Sequence, residues 1–429
     1  MLIQFRFENF RSFRDDTILD FTATKITENS FQVRKAGGES LLPVAALYGA
    51  NAGGKSNVVD ALDFMAEYVL DSFAYGDSLK DDGDRRLTAR RAEPFAFEAS
   101  SKEKPSSFEV YFTISEEDGW RSYNYGFTVG KAGVEEEWLN CKARTAREFS
   151  PVFSRVGQAV EWGRGKAFAR VVDAVRENLS ASLEPEVLVV SLGAKLKDPF
   201  LKKMRDWFLG VRVVDFGSPF EDCLWSHRVP VGFDSDERVR EDVVRYFSAF
   251  DPSIVGFRVE ETNIEEERRG RRLRIFSRHE NPGTGERVEI PFECESDGTL
   301  KMFALYPMLQ LVLRRGGILV ADELNAKLHP HLVRGILLAF LNPETNGHNA
   351  QLVFTCHDPW QLSHSSLRRD EIWFTQKDKS GATELYSLAD FSDDGDRKIR
   401  KDENYEKNYM LGKYGAVPEI FSFDLPGGN

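Results

Sequence analysis

The chain has 429 residues, of which 41% are hydrophobic and 29% are charged. This length accommodates two or three domains, or one large domain with insertions, and the composition excludes a chain that is disordered or fibrous throughout. With 57 Lys and Arg residues against 69 Asp and Glu residues the net charge is −12. That balance excludes a general nucleic-acid coat protein, because such proteins bind phosphates through an excess of cations.

The cysteines and the N-terminus indicate the compartment. Cys141, Cys223, Cys294 and Cys356 lie far apart, which disfavours a disulfide framework or a Cys-rich zinc site and fits a reducing compartment. The first residues lack the basic-then-apolar order of a signal peptide, and no window reaches 18 apolar residues. We therefore expect a cytoplasmic protein without a membrane partner.

A strand, a glycine-rich loop and a helix are predicted near the start of the chain. Ile3, Phe5 and Phe7 alternate with polar residues, which predicts a half-buried strand. The apolar run 44–48 predicts a buried strand, and the apolar spacing from 56 to 73 predicts a helix. The glycine-rich segment lies between these last two elements.

That segment matches the pattern G-x-x-x-x-G-K-[ST] at every defined position. It reads Gly49-Ala50-Asn51-Ala52-Gly53-Gly54-Lys55-Ser56. Glycines let backbone N–H groups surround a triphosphate, and the following helix directs its N-terminus at the anion. Lys55 would reach the β- and γ-phosphates of ATP, and the Ser56 hydroxyl would bind Mg²⁺. The alternative is a glycine-rich turn without a ligand, which the flanking strand and helix disfavour.

The rest of the chain mixes strand and helix patterns. The middle predicts antiparallel strands at 108–114 and 123–129, a mostly helical stretch at 166–209, a helix at 237–250 and strands at 254–260 and 272–277. The second half predicts a helix at 299–313 kinked at Pro307, a strand at 318–321, a helix at 332–340 and strands at 352–355 and 372–374. The tail at 393–409 is dense in charges of both signs and is predicted to be a solvated helix or arm.

Two of the later strands run into polar residues. Asp322 and Glu323 follow one strand, and His357 follows the next one along the chain. Ligands of open α/β sheets bind at the carboxyl ends of strands, so Asp322 would hold Mg²⁺ through water and Glu323 would orient or deprotonate the attacking water. His357 would sense the γ-phosphate. Each pattern alone also fits an ordinary strand end or a structural histidine.

The segment Ser296-Asp297-Gly298-Thr299 lies at the start of the helix predicted at 299–313. Ser296 can cap that helix, whose first free N–H groups would then be available to an anion. The alternative is that Ser296 only caps the helix and binds no anion, and the residue pattern by itself favours this alternative.

In this order, the motifs resemble the ABC-type ATPase head of the SMC/OLD-like group. The segments that carry the resemblance are Asn9-Phe10-Arg11-Ser12-Phe13, Gly49–Ser56, Ser296–Thr299, Asp322-Glu323 and His357. More narrowly, ENFRSF, GANAGGKSN, ESDGTLKMFALYP, DELNAKLHP, FTCHD and ENYEKNYMLGKYGAVP are similar to stand-alone bacterial AAA family ATPases of the RloA/AbiLii-like anti-phage group. The matches run from residue 2 to about residue 418, with a less readable middle at 75–290.

The resemblance implies a role for each of these residues. The residues that would cradle the phosphates are Gly49, Ala50, Asn51, Ala52, Gly53, Gly54, Lys55 and Ser56, with Asn57 closing the loop. Asp322 would support Mg²⁺, Glu323 would be the catalytic carboxylate and His357 the switch histidine. In place of the family's signature loop, which contacts the γ-phosphate bound to the other protomer, stand Ser296, Asp297, Gly298 and Thr299. Residues 325–329 would touch the dimer partner, and Arg11 would approach the nucleotide.

The chain also departs from the family pattern. No Gln occurs between Ser56 and Gly157, so the lid glutamine has no obvious counterpart, and the signature reads SDGT. Sustained heptads are missing, and only a short segment follows His357. We therefore expect neither the long coiled coil of SMC proteins nor a nuclease domain within this chain.

Together these observations predict an α/β P-loop NTPase with an ABC-type ATPase head. A parallel core sheet is expected together with an antiparallel β subdomain and a helical insertion. The predicted segments are an N-terminal ATPase lobe at 1–150, a mainly helical insertion at 151–255 and a C-terminal ATPase lobe at 256–429. The predicted activity is hydrolysis of ATP to ADP and phosphate by a homodimer or higher oligomer that closes around ATP and Mg²⁺.

The expected role is that of a sensor or regulator of a separately encoded effector, expected to be a nuclease, in bacterial anti-phage defence. One alternative is an SMC-like DNA-repair or recombination ATPase that grips DNA directly, and another is a non-hydrolysing assembly scaffold. Nucleic-acid binding stays open, because acidic neighbours weaken the case for the basic clusters. These clusters are Arg85-Arg86 with Arg90-Arg91, and Arg268-Arg269 with Arg271-Arg272-Arg274.

Overall fold

The computed structural model describes most of the chain. The described ranges are 1–75, 91–117, 119–143, 146–165, 170–217, 229–262, 272–363, 366–392, 399–400 and 403–418. Six arginines of the predicted basic clusters lie outside these ranges, namely Arg85, Arg86, Arg90, Arg268, Arg269 and Arg271. Part of the predicted solvated tail, 393–398 and 401–402, also lies outside them.

Within these ranges the chain forms eighteen strands and eight α-helices. The strands are β1 (Leu2–Glu8), β2 (Thr17–Asp20), β3 (Arg34–Ala36), β4 (Glu39–Leu41), β5 (Val44–Gly49), β6 (Ser106–Glu116), β7 (Gly119–Gly130), β8 (Gly133–Lys142), β9 (Ser150–Val156), β10 (Ala159–Trp162), β11 (Val211–Asp215), β12 (Ile254–Thr262), β13 (Arg272–Glu280), β14 (Arg287–Pro291), β15 (Ile318–Asp322), β16 (Gln351–Thr355), β17 (Ile372–Lys377) and β18 (Thr383–Ser387). The helices are α1 (Lys55–Asp71), α2 (Asp173–Ser182), α3 (Val189–Lys195), α4 (Pro199–Phe208), α5 (Glu237–Phe247), α6 (Asp297–Arg315), α7 (Pro330–Leu341) and α8 (Tyr405–Met410). None of these helices is long and apolar enough to cross a bilayer.

A six-stranded sheet in the order β11-β15-β16-β5-β17-β18 forms the core of the molecule. Its first five strands are parallel, and β18 pairs antiparallel with β17. Parallel strands end at one edge of a sheet, so the residues that follow β5, β15 and β16 lie near each other. The predicted parallel core of a P-loop NTPase is confirmed.

Alternate residues of β5 enter two different hydrophobic cores. Ala45 and Leu47 pack in a core with α1, α3, α4 and the antiparallel sheet. Val44, Ala46 and Tyr48 pack in a second core with α6 and α7. The parallel sheet is therefore covered on both faces, which is why its strands read as continuous apolar runs.

An antiparallel sheet of seven strands, ordered β10-β9-β8-β7-β6-β1-β2, forms the second layer. The predicted antiparallel strands lie within β6 and β7, and the N-terminal strand predicted from Ile3, Phe5 and Phe7 is β1. The antiparallel β subdomain is therefore confirmed, and four further strands, β2, β8, β9 and β10, extend it.

The described part of 151–255 contains four helices, but it also contributes strands to both large sheets. β9 and β10 extend the antiparallel sheet, and β11 forms the edge of the parallel sheet beside β15. The mostly helical stretch predicted at 166–209 agrees with α2, α3 and α4 in its described part, 170–209, whereas the strand at 211–215 was missed. Short apolar runs do not distinguish a buried strand from part of a helix. The lobe boundaries themselves stay predictions.

The tail is packed rather than solvated. Tyr405, Tyr409 and Tyr414 are buried in the second core, where the ring centroid of Tyr409 lies 6.0 Å from that of Tyr48. A short helix, α8, forms in the predicted segment, but the prediction that this segment is solvated is wrong for its described residues 403–409, where Tyr405 and Tyr409 are buried. The charged residues of this segment lie between its inward-facing tyrosines, and a count of charges does not detect such an arrangement.

Candidate active site

Close backbone packing shapes the loop between β5 and α1. A Cβ atom on Gly49 would lie 2.4 Å from the Thr375 Oγ1 atom of β17. Gly54 has a φ of +102°, and a Cβ atom there would lie 2.6 Å from the Thr383 Oγ1 atom of β18. Both positions therefore require glycine, and the loop lies directly against the carboxyl end of β17 and the start of β18.

The Lys55 side chain lies over this loop. It is only 5% exposed, and its Nζ donates to the carbonyl oxygens of Gly49 at 2.8 Å and Ala50 at 3.0 Å. Burial lowers the pKa of Lys55, while the nearby carboxylates of Asp322 and Glu323 act in the opposite direction. A partly desolvated ammonium group is thus placed at the centre of the loop, where a phosphate anion would stabilise it.

Thr355, the last residue of β16, holds the Asp–Glu pair at the end of β15. Its hydroxyl donates to the buried Asp322 carboxylate and accepts a hydrogen bond of 2.8 Å from the Glu323 backbone N–H. Glu323 has a φ of +49°, so the chain turns sharply directly after the strand. One hydroxyl on the neighbouring strand therefore fixes both acids.

His357 lies beside the Glu323 carboxylate, with 3.7 Å between His357 Nε2 and Glu323 Oε1. Its backbone N–H donates to the Asn325 Oδ1 atom at 3.3 Å. Burial and the Lys55 charge lower the pKa of His357, and the two acids oppose them. The neutral imidazole that results can donate one ring N–H to an anion.

These groups surround one cleft of about 670 Å³. Its lining residues are Asn51, Ala52, Gly53, Gly54, Lys55, Ser56, Asn57, Glu323, His357 and Lys377. Gly49 and Ala50 lie behind Lys55, and Asp322 lies behind the lining, bonded to Thr355. The structure thus brings together the predicted phosphate loop, the Asp–Glu pair and His357.

The residues at the carboxyl edge of the parallel sheet fit a magnesium ion that is bound partly by the protein and partly by a phosphate substrate. Ser56 is exposed in the first turn of α1, and Asp322 ends β15 close enough to influence the Lys55 ammonium. In the described part of the chain no group of three or more His, Cys, Asp or Glu residues could hold a metal ion by itself. Mg²⁺ usually binds through one or two protein oxygens together with waters and phosphate oxygens, which suits this donor set.

The predicted signature-like loop lies outside this cleft. Ser296 caps α6 by accepting from the Thr299 N–H at 3.1 Å. The Asp297 carboxylate lies 3.8 Å from the Lys327 Nζ atom, and Gly298 approaches the Lys327 carbonyl. The loop therefore packs beside the segment that follows Glu323, and a role at a nucleotide stays a prediction.

Arg11 also lies outside the cleft lining. Its guanidinium pairs with Asp60 of α1, and its backbone N–H donates to the Glu93 carbonyl at 2.6 Å. The neighbouring Ser12 is closer to the phosphate loop, because its hydroxyl accepts from Asn57 Nδ2 at 2.7 Å. Direct contact between Arg11 and a nucleotide stays a prediction.

Sequence reasoning gave no role at the cleft to four residues around it, namely Ser12, Thr355, Lys377 and Thr383. The rule that ligands bind at the carboxyl ends of parallel strands could have identified Thr355 and Lys377, which end β16 and β17. Ser12 and Thr383 share a hydrogen bond of 2.8 Å between their hydroxyls, although they are far apart in sequence. Sequence alone gave no signal for that contact.

One family model and several solved structures are similar to this chain. Residues 44–360 match the family model described as "AAA domain, putative AbiEii toxin, Type IV TA system". The chain is similar to the solved "SMC head domain from Thermotoga maritima", at 13% identity and a TM-score of 0.39, over 90% of this chain and 98% of that chain. It is also similar to an "SmcHead bound to the C-winged helix domain of ScpA", at 15% identity and a TM-score of 0.41, over 90% of this chain and 97% of that chain. No curated protein matches.

Proposed function

The chain belongs to the AAA-domain family described as putative AbiEii toxins of type IV toxin–antitoxin systems, and from this premise we propose that it binds ATP with Mg²⁺ and hydrolyses it. The observation that carries the proposal is the shared cleft, which Lys55 and Ser56 line together with Glu323 and His357. A phosphate loop alone is compatible with binding only. A carboxylate and an imidazole in the same cleft add the groups that hydrolysis needs.

Each group has a task in the proposed reaction. The loop N–H groups, the N-terminus of α1 and Lys55 bind the phosphates and stabilise the charge that develops on them. Glu323 orients the attacking water and accepts its proton, and His357 donates a hydrogen bond to the γ-phosphate. Ser56 and Asp322 would hold Mg²⁺, which would supply further positive charge to stabilise the reacting phosphates.

The proposed assembly is a homodimer. Ser296–Thr299 lie beside the segment that follows Glu323 but outside their own cleft, which leaves them free to complete the cleft of a second protomer. ATP binding would close the dimer, and a separately encoded effector protein would respond to the closed form. We propose that this effector is a nuclease. The proposal places this regulator in bacterial anti-phage defence, in the cytoplasm, and it rests there on the resemblance of the sequence motifs to the anti-phage group.

Three variants test the proposed hydrolysis by parallel measurements of ATP affinity and phosphate release. Lys55→Ala should lose ATP binding, whereas Glu323→Gln should bind ATP and lose turnover by about 100-fold or more. Glu344→Gln, which changes an exposed carboxylate elsewhere, is the control and should match the wild type. If the wild type binds ATP tightly but does not hydrolyse it, the proposed ATPase activity is wrong and the non-hydrolysing scaffold is the better hypothesis.

A further inference from the structure

The strand order fixes the direction of a nucleotide in the cleft. β15 and β16, which lead into Glu323 and His357, lie on one side of β5, whereas β17 and β18 lie on the other. Hydrolysis takes place at the γ-phosphate, so that end of ATP lies toward Glu323. The α-phosphate, the ribose and the base therefore leave the phosphate loop over β17 and β18.

The turn between β17 and β18 lies along that path. Lys377 ends β17 and lines the cleft, and Thr383 begins β18, with its Oγ1 facing Gly54. Residues 378–382 connect these two positions. Neighbouring strands lie roughly 5 Å apart, so the turn lies about one to two strand spacings from the loop, which is the distance from the phosphates to a ribose and base.

An exposed phenylalanine lies against this turn. Phe97 is 75% exposed, and its ring Cδ2 atom lies 2.9 Å from the position that a Cβ atom on Gly381 would occupy. The ring of the buried Phe95 meets it edge-on, with 5.8 Å between the centroids. Water contact over most of an apolar ring is unfavourable, so a ligand that covers the ring would gain hydrophobic energy.

An arginine holds the same turn in place. The Arg14 Nη1 atom donates to Ser380 Oγ at 3.2 Å, and the Arg14 Nη2 atom lies 3.9 Å from Asp378 Oδ2. Its guanidinium carbon also lies 6.0 Å from the centroid of the Phe95 ring. The position of the Phe97 ring is therefore stabilised by contacts with the turn and with Phe95, and Arg14 of the N-terminal segment contacts both of these.

We propose that Phe97 stacks on the nucleobase of a nucleoside triphosphate bound to the loop at 49–56. This inference rests on the proposed function, because it needs a triphosphate in the cleft. Stacking on an aromatic ring suits the face of any base and is strongest for the large purines, so a purine nucleoside triphosphate is the ligand class. The inference assigns base recognition to a segment that the sequence motifs did not include.

The test compares Mg²⁺-bound ATP with Mg²⁺-bound inorganic tripolyphosphate, which has the phosphates without a base. Calorimetry on the full chain should show that Phe97→Ala weakens ATP binding about tenfold and leaves tripolyphosphate binding unchanged. Phe97→Trp should keep the ATP affinity, and ATP but not tripolyphosphate should quench the added fluorescence. Phe31→Ala removes an equally apolar ring that is 62% exposed elsewhere, and should behave as the wild type.

The outcomes separate the two proposals. If the wild type binds neither ligand, the proposed function fails. If the wild type binds both ligands and Phe97→Ala binds ATP with unchanged affinity, only the stacking inference is overturned. A variant that loses both ligands equally also overturns it, because the ring would then support the phosphate loop rather than the base.

Discussion

At the scale of single residues, Thr355 links the two acids of the site. Its hydroxyl bonds to the Asp322 carboxylate and to the Glu323 N–H, and the side chain is fully buried. Thr355→Val keeps nearly the same shape but leaves both groups unpaired, so we expect a loss of about 1–3 kcal/mol in the free energy of unfolding. Turnover should fall more than ATP affinity, because the phosphate loop is untouched.

Urea unfolding together with steady-state kinetics checks this prediction. Thr355→Ser restores the hydroxyl and should recover most of the turnover, although it lacks the methyl group. Equal turnover in the Val and Ser variants would show that the hydroxyl does not position Glu323.

The parts of the candidate site that could be predicted from the sequence are those whose functional residues follow one another along the chain. The loop at 49–56 needs glycines and a lysine in fixed order, and Asp322 and Glu323 follow an apolar strand, so both patterns are local. Ser12 and Thr383 come from distant segments of the chain, and only the folded structure brings them together beside the phosphate loop. Contacts between distant segments cannot be predicted from the residue type at one position of a single sequence.

At the scale of elements, the buried tail supports the strand that enters the phosphate loop. Burial raises the pKa of Tyr409, and the polar influence of the nearby Gly49 backbone N–H opposes that shift. The same hydroxyl donates to the Ala416 carbonyl at 3.3 Å. The tail therefore contacts the first residue of the loop, whose carbonyl accepts from Lys55.

We expect Tyr409→Phe to weaken ATP binding about fivefold, since the loss of one polar contact of this kind costs about 1 kcal/mol. Tyr414→Phe is the matched control, because the Tyr414 hydroxyl accepts from Asn408 within the tail itself, at 3.0 Å. Calorimetric titration with ATP and the thermal midpoints of both variants measure the difference. Equal ATP affinities in the two variants would contradict a specific role for Tyr409.

At the scale of the whole molecule, sequence predicted the layers better than the connections between them. The parallel core follows from apolar strands that end in polar residues, and the antiparallel layer follows from alternating segments. The missed strand β11 is five residues long and lies at the edge beside β15, in a segment that reads as helical. Its place depends on pairing with residues about a hundred positions away, which local periodicity cannot show.

The proposed dimer predicts that two inactive variants restore each other. Lys55→Ala disables the phosphate loop, and Ser296→Arg places a bulky cation where the partner's nucleotide would lie. In a mixed dimer one composite cleft carries both changes and the other carries neither. Random mixing of equal amounts should therefore give about a quarter of wild-type turnover, because half of the dimers hold one working cleft out of two. Phosphate release is measured for each variant alone and for the mixture. If the mixture is no more active than its separate components, Ser296 does not act on a neighbouring protomer.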